Sequence, residues 1–147
     1  MKNFIIKEPI TDIEFKEYYK LRWITLRSEW GKPIGSEKDP KDKSSIHRMI
    51  MSRDRNALAV GRLHYISSIE SQIRFMGVHH DYRRSGLGTL LLKELEQVSI
   101  YSKHNTIILQ SREEAVPFYL STGYKVKEKT YLLFGKIQHY LMVKNLY

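Results

Sequence analysis

No cysteine occurs among the 147 residues. Disulfides, thiol nucleophiles, thiol redox chemistry and Cys-ligated zinc are excluded at once. Long hydrophobic runs are missing too, and no stretch approaches the roughly 18 apolar residues of a membrane span. The opening Met1-Lys2-Asn3-Phe4-Ile5-Ile6-Lys7-Glu8 is too short and too charged to read as a secretory leader. The expectation is a cytoplasmic protein with no membrane partner. Acidic residues are the minority, 16 against 25 Lys plus Arg, for a formal charge of +9. There is no G-x-x-x-x-G-K-[ST], so a P-loop is excluded. The third glycine and early βαβ unit of a dinucleotide fingerprint are absent as well. His79, His80 and Asp81 are too closely bunched for a persuasive metal site, and His47, His64, His104 and His139 lack ligand spacing. No metal is expected, and these histidines read as surface or satisfied structural groups.

What is present suffices for a folded domain. Hydrophobic residues make up 41% and charged residues 28%. A chain of this length buries about 68–70% of its unfolded surface, enough for a core without staples. Residues 1–147 therefore read as one domain. The positive charge favours anionic partners: nucleic acid, an acidic membrane surface or a phosphate-bearing cofactor. Its sign alone does not choose among them.

Along the chain, Asn3 to Ile10 reads as a short edge strand closing near Pro9. Thr11 and Glu14 have the spacing of a capping box, which starts a helix at about Asp12. Phe15, Tyr18, Arg22 and Leu26 share one stripe of it, with Tyr19, Trp23 and Trp30 widening an aromatic side. That side can pack on a core or wall a pocket. Gly31 to Ser45 is rich in Gly, Pro, Lys, Asp and Ser and reads as a mobile loop. Ile46 to Ser52, Ala57 to Ile66 and Ile73 to Val78 read as three strands of an antiparallel meander, with Asp54-Arg55-Asn56 turning the first pair. Gly61 marks a bulge or a close backbone approach.

The period then changes. Leu87, Leu90, Leu91, Leu95 and Val98 repeat at helical spacing as far as Tyr101, with Lys93, Glu94 and Glu96 largely off that stripe. Thr106 to Gln110 reads as a buried strand, so strand, helix and strand form a right-handed crossover. A second helix is expected over Arg112 to Ser121, tolerating Pro117 in its early turns and ending at Gly123. Tyr124 to Phe134 and Lys136 to Leu146 close the chain as two strands joined at Gly135. The fold class is α/β (α+β), a mixed and mostly antiparallel central sheet flanked by helices.

The segment with chemical content is Arg83-Arg84-Ser85-Gly86-Leu87-Gly88, where a strand passes into the long helix. A helix start leaves amides without internal partners, and its dipole favours an anion. Gly86 and Gly88 let an oxyanion approach the backbone, while the two arginines add charge-assisted bonds. A pyrophosphate fits such a cradle, and the alternative is that the glycines simply permit a tight turn and close helix packing.

These residues resemble the cofactor motif [Q/R]-x-x-G-x-[G/A] of the GNAT superfamily of acyl-CoA-dependent N-acyltransferases. Phe75-Met76-Gly77-Val78 resembles that family's fourth strand. Ala115-Val116-Pro117-Phe118-Tyr119-Leu120-Ser121-Thr122-Gly123-Tyr124 resembles its second signature, a helix carrying Phe-Tyr followed by Gly-Phe or Gly-Tyr. The likeness spans nearly the whole chain. It implies a fourth and fifth strand that splay to admit the pantetheine arm of acetyl-CoA, with Val78 bonding that arm through its backbone. It implies that the amides from Arg84 to Gly88, with Thr89, hold the pyrophosphate, and that Tyr119 stands near the thioester sulfur as general acid. Arg83, Ser85 and Leu87 complete the motif. Many members have Gly where this chain has Arg84, and Pro where it has His80. Arg84 is thereby placed to meet the pyrophosphate or the adenosine 3′-phosphate.

In some members a Glu near the start of the fourth strand is the base. Here the region reads Ser71-Gln72-Ile73-Arg74, and Gln72 cannot take a proton at neutral pH. Glu70, His79 or a water chain remain as alternatives. The implied activity is acetyl transfer from acetyl-CoA to a primary amine of a small molecule or peptide, by direct attack in a ternary complex. The aromatic helix and the loop from Trp30 to Glu37 are expected to border the acceptor. Glu29, Glu37 and Glu70 read equally as attractors of a cationic amine and as solvated surface. Two rivals stand beside this reading: an acyl-CoA-binding module without turnover, and a basic RNA- or ribosome-associated protein. Nucleic acid is not expected as a partner. The strand pair ending at Tyr147 offers an edge for a homodimer.

Overall fold

Thr11 makes the first turn that the chain cannot avoid. In the computed structural model, which describes residues 3–147, its side chain accepts from the Glu14 amide at 3.2 Å, and Glu14 bonds back to the Thr11 amide at 3.2 Å. Helix α1 (Asp12–Leu26) follows. Strand β1 (Phe4–Lys7) precedes it, shorter than the pattern suggests because Pro9 ends pairing early. The remaining elements are β2 (Ile46–Ser52), β3 (Ala57–Tyr65), β4 (Glu70–Val78), α2 (Leu87–Tyr101), β5 (Thr106–Arg112), α3 (Val116–Ser121), β6 (Lys125–Leu133) and β7 (Ile137–Asn145). Strand neighbours run β1-β2-β3-β4-β5-β7-β6. The pairs β1–β2, β2–β3, β5–β7 and β6–β7 are antiparallel. The pair β4–β5 is parallel, from Glu70 opposite Thr106 to Ile73 opposite Leu109, as a helix-bridged crossover requires. The expected mixed, mostly antiparallel sheet flanked by helices is thus the architecture found.

The chain divides into two compact units. One holds the residues up to His64 together with Phe75–Leu95, and the other holds Tyr65–Arg74 and Glu96–Tyr147. In the first, alternation on β2 serves two faces. Met49 and Met51 pack with Tyr18 and Leu21 of α1, while Ile50 packs with Leu87 and Leu91 of α2. A strand covered on both faces should be largely apolar, and β3 is buried along its length up to Tyr65, with Arg62 and His64 its buried polar exceptions. Gly61 resolves to a close approach. A Cβ there would lie 2.7 Å from Met76 Sδ and 2.9 Å from Leu95 Cδ1.

Gly31 to Ser45 is not the open loop its composition suggests. Asp39 and Asp42 form a second capping box around a short 3-10 helix, Pro40–Ser44. Two fully buried arginines then clamp it. Arg22 donates to both Asp42 oxygens at 2.9 and 3.1 Å, and Arg62 donates to Asp39 at 2.6 Å and Asp42 at 3.0 Å. Both guanidiniums lie over the Phe75 ring, 4.3 and 4.8 Å from its centroid. Burial alone would raise the Asp42 carboxyl, but the Asp39 amide and the arginines outweigh it and hold it below its ordinary value. Two charges of each sign make the cluster formally neutral, which is how buried ions are tolerated.

In the second unit Ile107, Leu109 and Met142 are buried, with Tyr124 among them. Edge strand β6 is exposed along nearly its whole length and carries Lys125, Lys127 and Lys129, a pattern that discourages further strand pairing. Arg112 belongs to β5 rather than to the following helix, which begins as a 3-10 turn at Glu113–Ala115. The four scattered histidines are buried and bonded, as expected of structural groups. His47 Nδ1 lies 2.7 Å from Tyr18 Oη, His64 Nδ1 3.4 Å from Arg62, His104 Nδ1 2.8 Å from Ser71 Oγ, and His139 Nδ1 2.9 Å from the Ile137 carbonyl. Among the described residues no helix is long and apolar enough to cross a membrane.

Candidate active site

The first unit carries the glycine-containing turn. Val78 ends β4, half-buried, and its carbonyl accepts from Arg83 Nε at 3.3 Å. Arg83, Arg84, Ser85 and Gly86 are exposed, Gly88 and Thr89 half-buried. Leu87 buries its side chain in the core with Leu91, so only its backbone is available to a ligand. The first bond of α2 runs from the Leu90 amide to the Gly86 carbonyl at 3.1 Å, which leaves Leu87, Gly88 and Thr89 in the helix's open first turn. Arg84 has φ 64° and Gly86 φ 88°, with Ser85 between them outside the positive-φ region. Alternating backbone handedness of this kind turns successive amides inward and makes an anion-binding concavity. Arg84 is an L-residue in a conformation that glycine adopts freely, at a cost of about 1–2 kcal/mol. Among the described residues no carboxylate pairs with its guanidinium.

His79, His80 and Asp81 stand just before this turn. Their ligand atoms lie within 4.8 Å of one another. The two imidazoles stack with centroids 4.7 Å apart, and His79 Nδ1 already accepts from the Asp81 amide at 3.1 Å. The bunching seen in the sequence therefore survives folding, with His80 and Asp81 in solvent. Glu37 is a correction of role. It is only 2% exposed and accepts from the Gly35 amide at 2.7 Å, so it shapes its own turn instead of presenting a surface charge.

The second unit carries Tyr119, on the short helix α3 with Pro117 in its first turn. The phenol is 8% exposed, and its ring meets Phe118 and Tyr124 edge-on at 5.0 and 5.7 Å. Burial pushes the phenol well above the ordinary tyrosine range. It is protonated at any ordinary pH and enters chemistry as a donor. Among the described residues nothing hydrogen-bonds its hydroxyl, which is the part of the side chain left open to solvent. Glu70 and Gln72 lie half-buried on the first half of β4. Glu96 is what sequence reasoning placed wrongly. Off the apolar stripe, it is nonetheless 8% exposed, taking bonds from Tyr124 Oη at 3.0 Å and Lys144 Nζ at 3.1 Å. No local signal marks it, because Tyr124, just before β6, and Lys144, on β7, are both far away in the chain.

With fold and geometry described, the class of protein follows. The model of the acetyltransferase (GNAT) domain family matches residues 33–146, and the chain belongs to that family. A Bacillus subtilis (strain 168) protein named uncharacterized N-acetyltransferase YjcF is 25% identical over 145 residues, covering 99% of this chain and all of that protein. Among solved structures, a provisionally assigned N-acetyltransferase from Lactobacillus plantarum superposes with a TM-score of 0.87 at 20% identity, over 99% of this chain and 100% of that one. An aminoglycoside 6′-N-acetyltransferase complexed with coenzyme A superposes with a TM-score of 0.81 at 16% identity, over 97% of each chain. At these identities the structural likenesses are likenesses of fold.

Proposed function

We propose that residues 1–147 act as one N-acetyltransferase domain, moving an acetyl group from acetyl-CoA to a primary amine of a small molecule or peptide. The observation that carries this reading, within a chain of the GNAT family, is the buried Tyr119 phenol whose hydroxyl no described residue engages. The amine nitrogen attacks the thioester carbonyl in a ternary complex, the C–N bond forms and the C–S bond breaks. CoA leaves as a thiolate, and the proton lost by the nitrogen neutralises it. Burial makes the phenol a weaker acid than an alkyl thiol, so it is a poor net source of the proton that the departing thiolate takes up. Tyr119 therefore works chiefly by donating a hydrogen bond to the departing sulfur. The amides from Arg84 to Gly88, with Thr89, bind the pyrophosphate. The Val78 backbone bonds the pantetheine arm, and Arg83 and Arg84 add charge. The aminoglycoside acetyltransferase of similar fold was solved with coenzyme A, which supports the same ligand here.

Thiol release from acetyl-CoA, measured across amines, amino acids, peptides and aminoacyl-RNA, tests this. Acceptor-dependent release that Tyr119→Phe lowers sharply, to a residual rate still measurable above background, is the expected result. Acetyl-CoA binding without release, for every acceptor tried, would favour the second reading, an acyl-CoA binder that does not turn over. Gln72, standing where some relatives carry a basic carboxylate, is the residue that keeps that reading in play.

A further inference from the structure

A six-residue helix cannot hold a side chain still by itself. The chain after Tyr119 turns back at once. The Thr122 and Tyr124 amides both donate to the Tyr119 carbonyl, at 3.1 and 3.0 Å, and the Gly123 amide donates to Leu120 at 3.2 Å. This turn is then fastened from outside. Lys144 of β7 reaches across it and donates to the Thr122 carbonyl at 2.8 Å. The same ammonium donates to both oxygens of Glu96 at 3.1 Å, and Tyr124 Oη donates to Glu96 at 3.0 Å. Gly123, at φ 100°, sits beneath the lysine stem, and a Cβ there would come within 3.2 Å of Lys144 Cε. The Tyr124 ring in turn meets Tyr119 edge-on. A buried carboxylate, one cation and one phenol thus converge on the turn, and none of the three is used by the transfer chemistry.

We propose that Lys144, with Glu96 and Tyr124, positions Tyr119, fixing both the carbonyl and the ring edge of the residue that addresses the leaving sulfur. This rests on the reading of Tyr119 given above. Lys144 is a positioning residue, acting through the turn and touching neither substrate. Holding a reacting group to within a fraction of an ångström is worth large factors in rate, and a shift of about 1 Å can cost roughly a hundredfold.

The test uses Lys144→Met, Lys144→Arg and Tyr124→Phe, each alone and in a Tyr119→Phe background, with thiol release measured against the most active amine of the panel. Lys144→Met is expected to lower kcat by between about tenfold and a hundredfold while leaving acetyl-CoA affinity unchanged. Lys144→Arg should restore most of it, and Tyr124→Phe, which removes one hydroxyl and endangers folding least, should fall between. In the Tyr119→Phe background none of the three should cost anything further. An equal loss in both backgrounds would show that Lys144 acts on something else and would overturn the proposal. A Tyr119→Phe protein as active as the native chain would overturn the reading of Tyr119 instead. Should no amine support release, ring resonances of 13C-labelled tyrosine decide the tie directly. Lys144→Met must shift or broaden the Tyr119 signal and leave Tyr18 in place, and an unmoved Tyr119 signal refutes it.

Discussion

Each unit buries an ion cluster, and the two are built differently. Arg22, Arg62, Asp39 and Asp42 set two charges against two, with planar guanidiniums that each share one Nη between two carboxylate oxygens and lie on Phe75. Lys144 and Glu96 set one charge against one, with Tyr124 filling the remaining acceptor site. Both arginine side chains of the first cluster are fully buried, whereas that of Lys144 is 24% exposed. Arginine is the better choice where water is wholly excluded, because it is weakly hydrated and its donors are rigidly arrayed. Lysine suits the second cluster, where one ammonium must serve a carboxylate and a carbonyl from different directions. The first pins a long irregular segment, and the second pins a single turn.

Removing one member of each cluster should expose that difference. Arg62→Met removes a charged donor shared by Asp39 and Asp42, and should cost about 3–5 kcal/mol in urea unfolding. Lys144→Met breaks bonds to a group that keeps its Tyr124 donor, so the loss should be about 1.5 kcal/mol by the same measurement. A larger loss from Lys144 than from Arg62 would break the comparison. Arg84→Gly should move in the opposite sense. It relieves the left-handed backbone and stabilises the free protein by about 1 kcal/mol, yet weakens binding of CoA measured by titration calorimetry.

The smallest effect concerns Glu14. A hydrogen bond from Lys7 and the amides of Ile10 and Thr11 hold its carboxyl down at about 2, from 4.5 when unfolded. Because the folded value is the lower one, this contribution is complete above about 4.5 and is lost as pH falls toward 2. Glu14→Gln should lower stability at neutral pH by that contribution and flatten the acid limb, so that the two profiles converge as pH falls toward 2.

Much of this was legible in the chain. Thr11 and Glu14 locate the start of α1, the apolar repeat from Leu87 to Tyr101 bounds α2, and Ile46 to Ser52 bounds β2, because local spacing and local caps are properties of neighbouring residues. The glycine turn and the helix of Tyr119 were legible for the same reason. The segment from Gly31 to Ser45 was misread, since its composition is that of a loop and its order comes from Arg22 and Arg62. Its Asp39-Pro40 pair with Asp42 three positions on was the one local signal that could have shown the capped 3-10 turn. Glu96 looked like solvated surface because its partners lie 28 and 48 positions away.

By itself, then, the order of residues determined the main helices and strands, the absence of cysteine chemistry, and the glycine turn at Arg83 to Gly88, all of which depend on spacing within a few residues. Only the tertiary structure decided which charges are buried, that Arg84 occupies a left-handed backbone, and that Lys144 closes over Gly123 to reach Thr122 and Glu96. Those outcomes depend on desolvation and on pairing between distant segments, and neither is a property that any short stretch of chain carries alone.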